Sequence, residues 1–201
     1  MKSNTNDKPH LDKQYWDDRY NNDESGWDMG DVSTPLKEYF DQLTNRDINI
    51  LIPGCGNAYE AEYLFESGFQ NVFLLDWSEN ALKNFKERCP DFPEDNLICE
   101  DFFSLNGKYD LIIEQTFFCA IYKNDRIAYA KKVYNLLNPG GKLVGLLFNH
   151  EFENSHPPYG GTKKEYEEYF KHYFKFKTFS TAYNSIKPRQ GRELFIIFIK
   201  K

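Results

Sequence analysis

Two glycines and three strand-end carboxylates set the first chemical expectation. In Ile52-Pro53-Gly54-Cys55-Gly56-Asn57-Ala58 the glycines stand where an apolar run ends, which lets the backbone turn sharply and approach a ligand before a helix begins. Asp76 closes the next apolar run, 22 residues after Gly54. A carboxylate there can accept from both hydroxyls of a ribose, or it can cap the helix that starts near Ser78. Glu100-Asp101-Phe102-Phe103 ends a third run; Asp101 can accept from an exocyclic amine while Phe102 covers a ring face, which suits adenine. The bland alternative is a loop acid beside a core aromatic. A fourth run closes at Glu114-Gln115-Thr116-Phe117-Phe118-Cys119-Ala120, a polar trio followed by an apolar wall. A nicotinamide dinucleotide fingerprint would share Gly54, Gly56 and Asp76, but Tyr59 stands where its third glycine belongs, and that side chain obstructs close helix–strand packing.

Strands covered on both faces are needed to bring these groups together. Residues 48–52, 72–75, 109–113 and 142–148 are short apolar runs without strict polar alternation, as buried parallel strands should be. Between them a helix is expected over 58–67, with Asn57 as N-cap, Glu60 completing a capping box and Gly68 as the stop. A second begins at Asp125 with Ile127, Ala130, Tyr134 and Leu137 on its inner face, ended by Asn138-Pro139-Gly140-Gly141. Residues 174–183 and 192–199 are strand-like runs with no helix between them, so the last strand pairs antiparallel with its predecessor. The expected fold class is α/β, a doubly wound, mostly parallel sheet closed by an antiparallel C-terminal hairpin, with ligands outside the strands' carboxyl ends.

The chain has 201 residues, enough for one domain. That domain is expected over 11–201, after a disordered polar tail at 1–10 that lacks the apolar core of a signal peptide. A net charge of -6 and a pI near 5.3 argue against nucleic acid or an anionic membrane surface as partner. With no run of 18 apolar residues, a cytoplasmic monomer acting on a small molecule is expected. Cys55, Cys89, Cys99 and Cys119 show no metal-ligand spacing and are expected to be reduced thiols, with no metal bound. Aromatics make up 17% of the chain, and those in expected loops could wall a pocket.

From about Gln14 to Gly191 the chain resembles the thiopurine S-methyltransferase superfamily, nearest its halide and thiol methyltransferase branch. The resemblance is carried by Ile52-Pro53-Gly54-Cys55-Gly56, Gly26-Trp27-Asp28-Met29-Gly30 with Pro35, Phe117-Phe118-Cys119-Ala120-Ile121, and Pro157-Pro158-Tyr159. It implies a Rossmann-like seven-stranded sheet, S-adenosylmethionine (SAM) as cofactor and S-adenosylhomocysteine (SAH) as product. Trp16, Tyr20 and Trp27 would fold over the cofactor, Tyr20 standing where plant halide methyltransferases carry tryptophan; ordinary packing is the alternative for Trp16 and Trp27. Gly54, Cys55, Gly56, Asp76, Trp77, Asp101, Phe102, Glu114 and Gln115 complete the expected cofactor site. Pro53 occupies the place of the usual acid, so orienting the cofactor's amino group falls to backbone carbonyls or to the Glu114-Gln115 segment.

Arg126 matches an arginine of the thiopurine enzymes' acceptor pocket, with Phe117, Phe118 and Tyr159 as further candidates. Arg126 could equally be a solvated helix residue, and Tyr159 could merely pack. His156 is expected to be solvated rather than a base, and Lys163-Lys164-Glu165 to mark an exposed helix face. Methyl transfer needs in-line approach and exclusion of water, and no dedicated base if the acceptor is already an anion. The leading reading is therefore a SAM-dependent methyltransferase acting on a small soft nucleophile such as a thiol, thiopurine, hydrosulfide or halide. The alternatives are an NAD(P)-type oxidoreductase and a non-catalytic SAM- or SAH-binding protein.

Overall fold

Seven runs form strands β1 (Ile50–Pro53), β2 (Val72–Asp76), β3 (Leu97–Cys99), β4 (Tyr109–Gln115), β5 (Leu137–Phe148), β6 (Phe174–Thr181) and β7 (Glu193–Lys200). The computed structural model describes residues 11–22, 24 and 26–201, and the tail expected at 1–10 lies outside the described residues. The strands make one sheet in the order β3-β2-β1-β4-β5-β7-β6. Its first five members run parallel, and β7 is antiparallel to both β5 and β6. The order reverses between β1 and β4, which opens a crevice at their carboxyl ends.

Side chains alternate across each strand and feed two cores. Ile50 and Ile52 pack on one face with Leu36 and Phe40 of α2 (Thr34–Phe40), Leu64 of α3 (Tyr59–Glu66) and Phe85 of α4 (Glu79–Arg88). Leu51 and Ile112 pack on the other face with Tyr129 and Val133 of α5 (Arg126–Leu136) and Phe170 of α6 (Lys163–Phe170). Among the described residues no helix is long and apolar enough to cross a membrane, all four cysteines are free, and no His/Cys/Asp/Glu cluster could hold a metal.

Four local expectations are corrected. Asn57 does not cap α3: left-handed backbone at Gly56 and Ala58 turns Asn57 outward, where its amide donates to Asp28. Ala58 is the N-cap, with no side-chain bond. Glu60 makes no capping box; its buried carboxylate accepts from Ser33 N at 3.1 Å, tying α3 to the start of α2. The expected stop holds, because Gly68 takes φ 92° and Phe69 N bonds back to Leu64 O. The inner face of α5 is shifted: Arg126, Tyr129, Ala130, Val133 and Leu136 are buried, while Ile127 is 60% exposed. Leu137 and Asn138-Pro139-Gly140-Gly141 belong to β5, since Leu137 already pairs with Tyr109, before a bulge in β4. The charge run of α6 is exposed as expected, and Glu165 completes a capping box with Thr162.

Candidate active site

The turn after β1 is shaped by close approaches. Gly54 and Gly56 have φ of 57° and 53°. A Cβ on Gly54 would lie 2.2 Å from the Phe117 ring, and one on Gly56 would lie 2.8 Å from the Tyr20 hydroxyl. Gly56 N and Ser78 N each donate to Asp76 at 2.9 Å. Ser78 is the true cap of α4, its hydroxyl accepting from Ala81 N at 3.2 Å. Asp76 therefore braces the turn and still faces the crevice. Burial pushes its carboxyl above the usual range, opposed by those backbone N–H groups.

A cavity of about 880 Å³ fills the crevice. On its β2–β3 side stand Asp76, Trp77, Asp101 and Phe102; in the middle stand Gly54, Thr116 and Phe117. Phe102 stacks on Tyr129 with centroids 5.3 Å apart and meets Phe117 edge-on at 5.1 Å. Trp16, Tyr20 and Trp27 close the opening as a T-shaped cluster, Trp27 lying 5.7 Å from Trp16 and 5.9 Å from Tyr20. Trp16 and Tyr20 sit on α1 (Lys13–Asn21), which buries no residue, so core packing does not account for Trp16. Helix α1 is held to α4 by polar contacts: the Ser78 hydroxyl donates to Asp17 at 2.6 Å and Lys13 pairs with Glu79. Cys55, Gly56 and Gln115 line a smaller adjoining cavity of about 50 Å³.

Three expected site residues, Glu114, Phe118 and Arg126, lie behind the wall, and a fourth, Tyr159, does not line the cavity. Glu114 is fully buried, accepting from Phe117 N at 2.9 Å, Phe118 N at 2.8 Å and Tyr129 Oη at 2.5 Å, so its oxygens are engaged in fastening the wall. Burial pushes its carboxyl up to about 7, against those same bonds and Arg126. Phe118 points into the core, edge-on to Tyr166 at 5.5 Å. Arg126 neither faces an acceptor nor is solvated: it is 1% exposed and donates to Gly160 O at 2.9 Å and Tyr159 O at 2.7 Å. Its charge lies over the Phe118 ring at 4.5 Å. Tyr159 packs on Tyr122 with centroids 5.7 Å apart, and its hydroxyl donates to Ser155 O at 3.3 Å. His156 is exposed, as expected.

The β5–β7 side of the cavity holds residues that motif reading passed over: Phe148, Phe152, Pro188, Arg189 and Arg192, beside the expected Pro157 and Pro158. Arg189 donates to Trp27 O at 2.7 Å and lies 3.4 Å from Glu193. Arg192 contacts His150 Nε2 and lies over the Phe152 ring at 5.8 Å. Their signal was present in Lys187-Pro188-Arg189-Gln190-Gly191-Arg192, where two arginines flank turn residues between the last two strands.

The cavity has the size of a small-molecule site, and its strand-end carboxylates and aromatic faces fit an adenosyl group. The family model for thiopurine S-methyltransferase (TPMT) matches residues 11–195. The chain is 32% identical over 186 residues to thiocyanate methyltransferase 1 of Brassica oleracea, covering 89% of this chain and 81% of that protein. It is 28% identical over 181 residues to thiopurine S-methyltransferase of Vibrio campbellii, covering 81% and 83%. Among solved structures it is similar to Burkholderia thailandensis 1,6-didemethyltoxoflavin-N1-methyltransferase bound to 1,6-didemethyltoxoflavin and S-adenosylhomocysteine, with TM-score 0.78, 15% identity and coverage of 100% and 98%. That last likeness concerns the fold. A match over almost the whole described chain leaves one conclusion: the chain belongs to the thiopurine S-methyltransferase family and is a SAM-dependent methyltransferase.

Proposed function

We propose that the methyl acceptor is a small, soft, anionic nucleophile such as a thiolate, a thiopurine, hydrosulfide or a halide, received on the β5–β7 side of the cavity. Family membership sets aside the oxidoreductase and non-catalytic readings. The observation that carries the proposal is the pairing of Arg189 and Arg192 with the apolar walls Phe148, Phe152 and Pro188. The arginines attract an anion, and the walls favour a polarisable one over a strongly hydrated oxygen nucleophile that loses more on desolvation. The relatives point the same way, being named for thiocyanate and thiopurine, which offer sulfur.

When bound, SAM would supply a methyl carbon made electrophilic by its sulfonium, with a neutral thioether as the leaving group. Asp76 would hold the ribose hydroxyls, Asp101 would accept from the adenine amine and Phe102 would cover its ring. Trp16, Tyr20 and Trp27 cover the cation, whose attraction to an aromatic face is worth roughly 0.5–2 kcal/mol. Phe117 and the Pro157-Pro158 loop exclude water, and alignment of the reactants can supply roughly 7–11 kcal/mol of the barrier. No histidine lines the cavity among the described residues, in keeping with an acceptor that arrives ionised. The same reading takes residues 11–201 as one monomeric cytoplasmic domain without nucleic-acid or membrane partners, in keeping with its net charge of -6.

A radiolabelled methyl-transfer screen over thiols, hydrosulfide, iodide, a thiopurine and small oxygen and nitrogen nucleophiles tests the acceptor class. Thiol rates are expected to rise with pH toward the thiol's own pKa, while the iodide rate shows no such acceptor-linked step. Preference for an alcohol or amine, with sulfur and halide inactive, sinks the proposal.

A further inference from the structure

Arg189 and Arg192 line the same cavity but are held differently. Arg189 is buried and lies 3.4 Å from Glu193, so a carboxylate offsets its charge. Arg192 is exposed, and its Nη2 meets His150 Nε2 rather than a carboxylate. The acid beside His150 in sequence, Glu151, pairs with Lys123 at 2.7 Å, and the ion-paired arginines among the described residues are Arg19, Arg88 and Arg189. A guanidinium carries donors and no acceptor, so the imidazole nitrogen accepts, and it can do so only while the ring is neutral. Burial and the charge of Arg192 both hold the pKa of His150 below its usual value, which keeps the ring neutral at neutral pH.

The backbone sets His150 and Arg192 side by side. The β5–β7 pairing runs on past Phe148 and Glu193, with Asn149 N donating to Arg192 O at 2.7 Å. His150 O accepts from Gly161 N at 3.0 Å, and Gly160 packs so close that a Cβ there would lie 1.8 Å from that oxygen. The imidazole meets Phe148 edge-on at 5.4 Å and Phe152 at 4.2 Å, without itself lining the cavity. Its Nδ1 is buried with no hydrogen-bond partner. With Nε2 accepting, Nδ1 bears the proton, and a buried unpaired N–H carries a cost that phenylalanine would avoid in the same slot. Packing alone therefore does not account for a histidine here; the contact with Arg192 does.

We infer that His150 is a positioning residue whose Nε2 aims the guanidinium of Arg192 into the cavity while leaving its charge uncompensated for an anionic acceptor. This rests on the proposed acceptor side, and the test separates the two. On the full chain, kinetics use iodide, which has no proton to lose, and calorimetry uses SAH. His150→Phe is expected to raise the iodide KM by at least about threefold, with SAH affinity within about twofold of wild type and stability to urea undiminished. His150→Gln, whose Oε1 can stand near the place of Nε2, keeps the iodide KM within about twofold of wild type. In an Arg192→Gln background His150→Phe adds nothing further, because the two residues act as one unit. Nitrogen NMR on the wild type reads the ring directly: the contact requires Nδ1–H with Nε2 accepting, and Arg192→Gln shifts the ring toward the Nε2–H form. The inference is overturned if wild-type His150 carries its proton on Nε2, if His150→Phe leaves the iodide KM unchanged where Arg192→Gln raises it, or if it raises that KM equally with and without Arg192. Should His150→Phe not fold, the wild-type NMR result decides alone. An iodide KM unaffected by Arg192→Gln counts against the acceptor side itself, and the inference falls with it.

Discussion

The β1–β3 side of the cavity and the β5–β7 side are built by different means. On the first, each group stands at or within two residues of a strand's carboxyl end: Gly54 after β1, Asp76 closing β2, Asp101 after β3. Strand, turn and helix alone place them. On the second, only Phe148 closes a strand; Phe152, Pro157 and Pro158 come from the loop after β5, and Arg189 and Arg192 from the connection into β7. Loops of this kind can change without disturbing the sheet. The β1–β3 side is fixed by topology, and the β5–β7 side is left open to variation.

Glu114 lies between the two sides and gives the largest expected effect. Its bonds to Phe117 N, Phe118 N and Tyr129 fasten the shared wall, and burial raises its carboxyl from 4.5 to about 7. The folded state therefore holds a proton that the unfolded state releases, so this contribution is fully present below about 4.5 and is lost as pH rises through about 7. At about 1.4 kcal/mol per unit, wild type should lose on the order of 3 kcal/mol relative to Glu114→Gln across that window. Urea unfolding of both proteins at several pH values measures it. A wild-type advantage that grows with pH would contradict the burial account.

Asp76 tests the side fixed by topology. Asp76→Ala should weaken SAH binding by about 1.5–3 kcal/mol and abolish the discrimination against 2′-deoxy-SAH expected of the wild type. Because Gly56 N and Ser78 N also lose an acceptor, some stability is lost as well. The comparison between the two ligands isolates the ribose contact. Equal discrimination in both proteins would leave Asp76 as a brace of the turn alone.

What the sequence made legible follows the same division. Gly54, Asp76, Asp101, Phe102 and the C-terminal antiparallel pair could be placed because strand ends in a doubly wound sheet converge on one crevice. Phe118, Arg126 and Tyr159 are the expected acceptor residues that do not line the cavity: the first two are buried behind its wall and Tyr159 packs on Tyr122. Phe117, which faces the cavity, and Phe118, which faces the core, are consecutive residues, and a motif does not reveal that turn of the chain. Arg126 has a charged end but a buried task, tying down Tyr159 O and Gly160 O across 33 and 34 residues of sequence. The inner face of α5 was misread because Ile127 looks like core, although Tyr129, which stacks on Phe102 and bonds to Glu114, sets the phase. Long-range partners of this kind leave no local pattern to read.

Arg192 offers the most direct test of the central claim, that an anionic acceptor is received on the side remote from Asp76. Unlike Arg189, which also holds Trp27 O and faces Glu193, Arg192 is exposed and can be changed without unpinning the aromatic cover. The measurement is iodide KM and SAH affinity for Arg192→Gln beside wild type. The account predicts an iodide KM raised about tenfold with SAH affinity within about twofold of wild type. An unchanged iodide KM, or an SAH affinity that falls as far as the iodide KM rises, would contradict it.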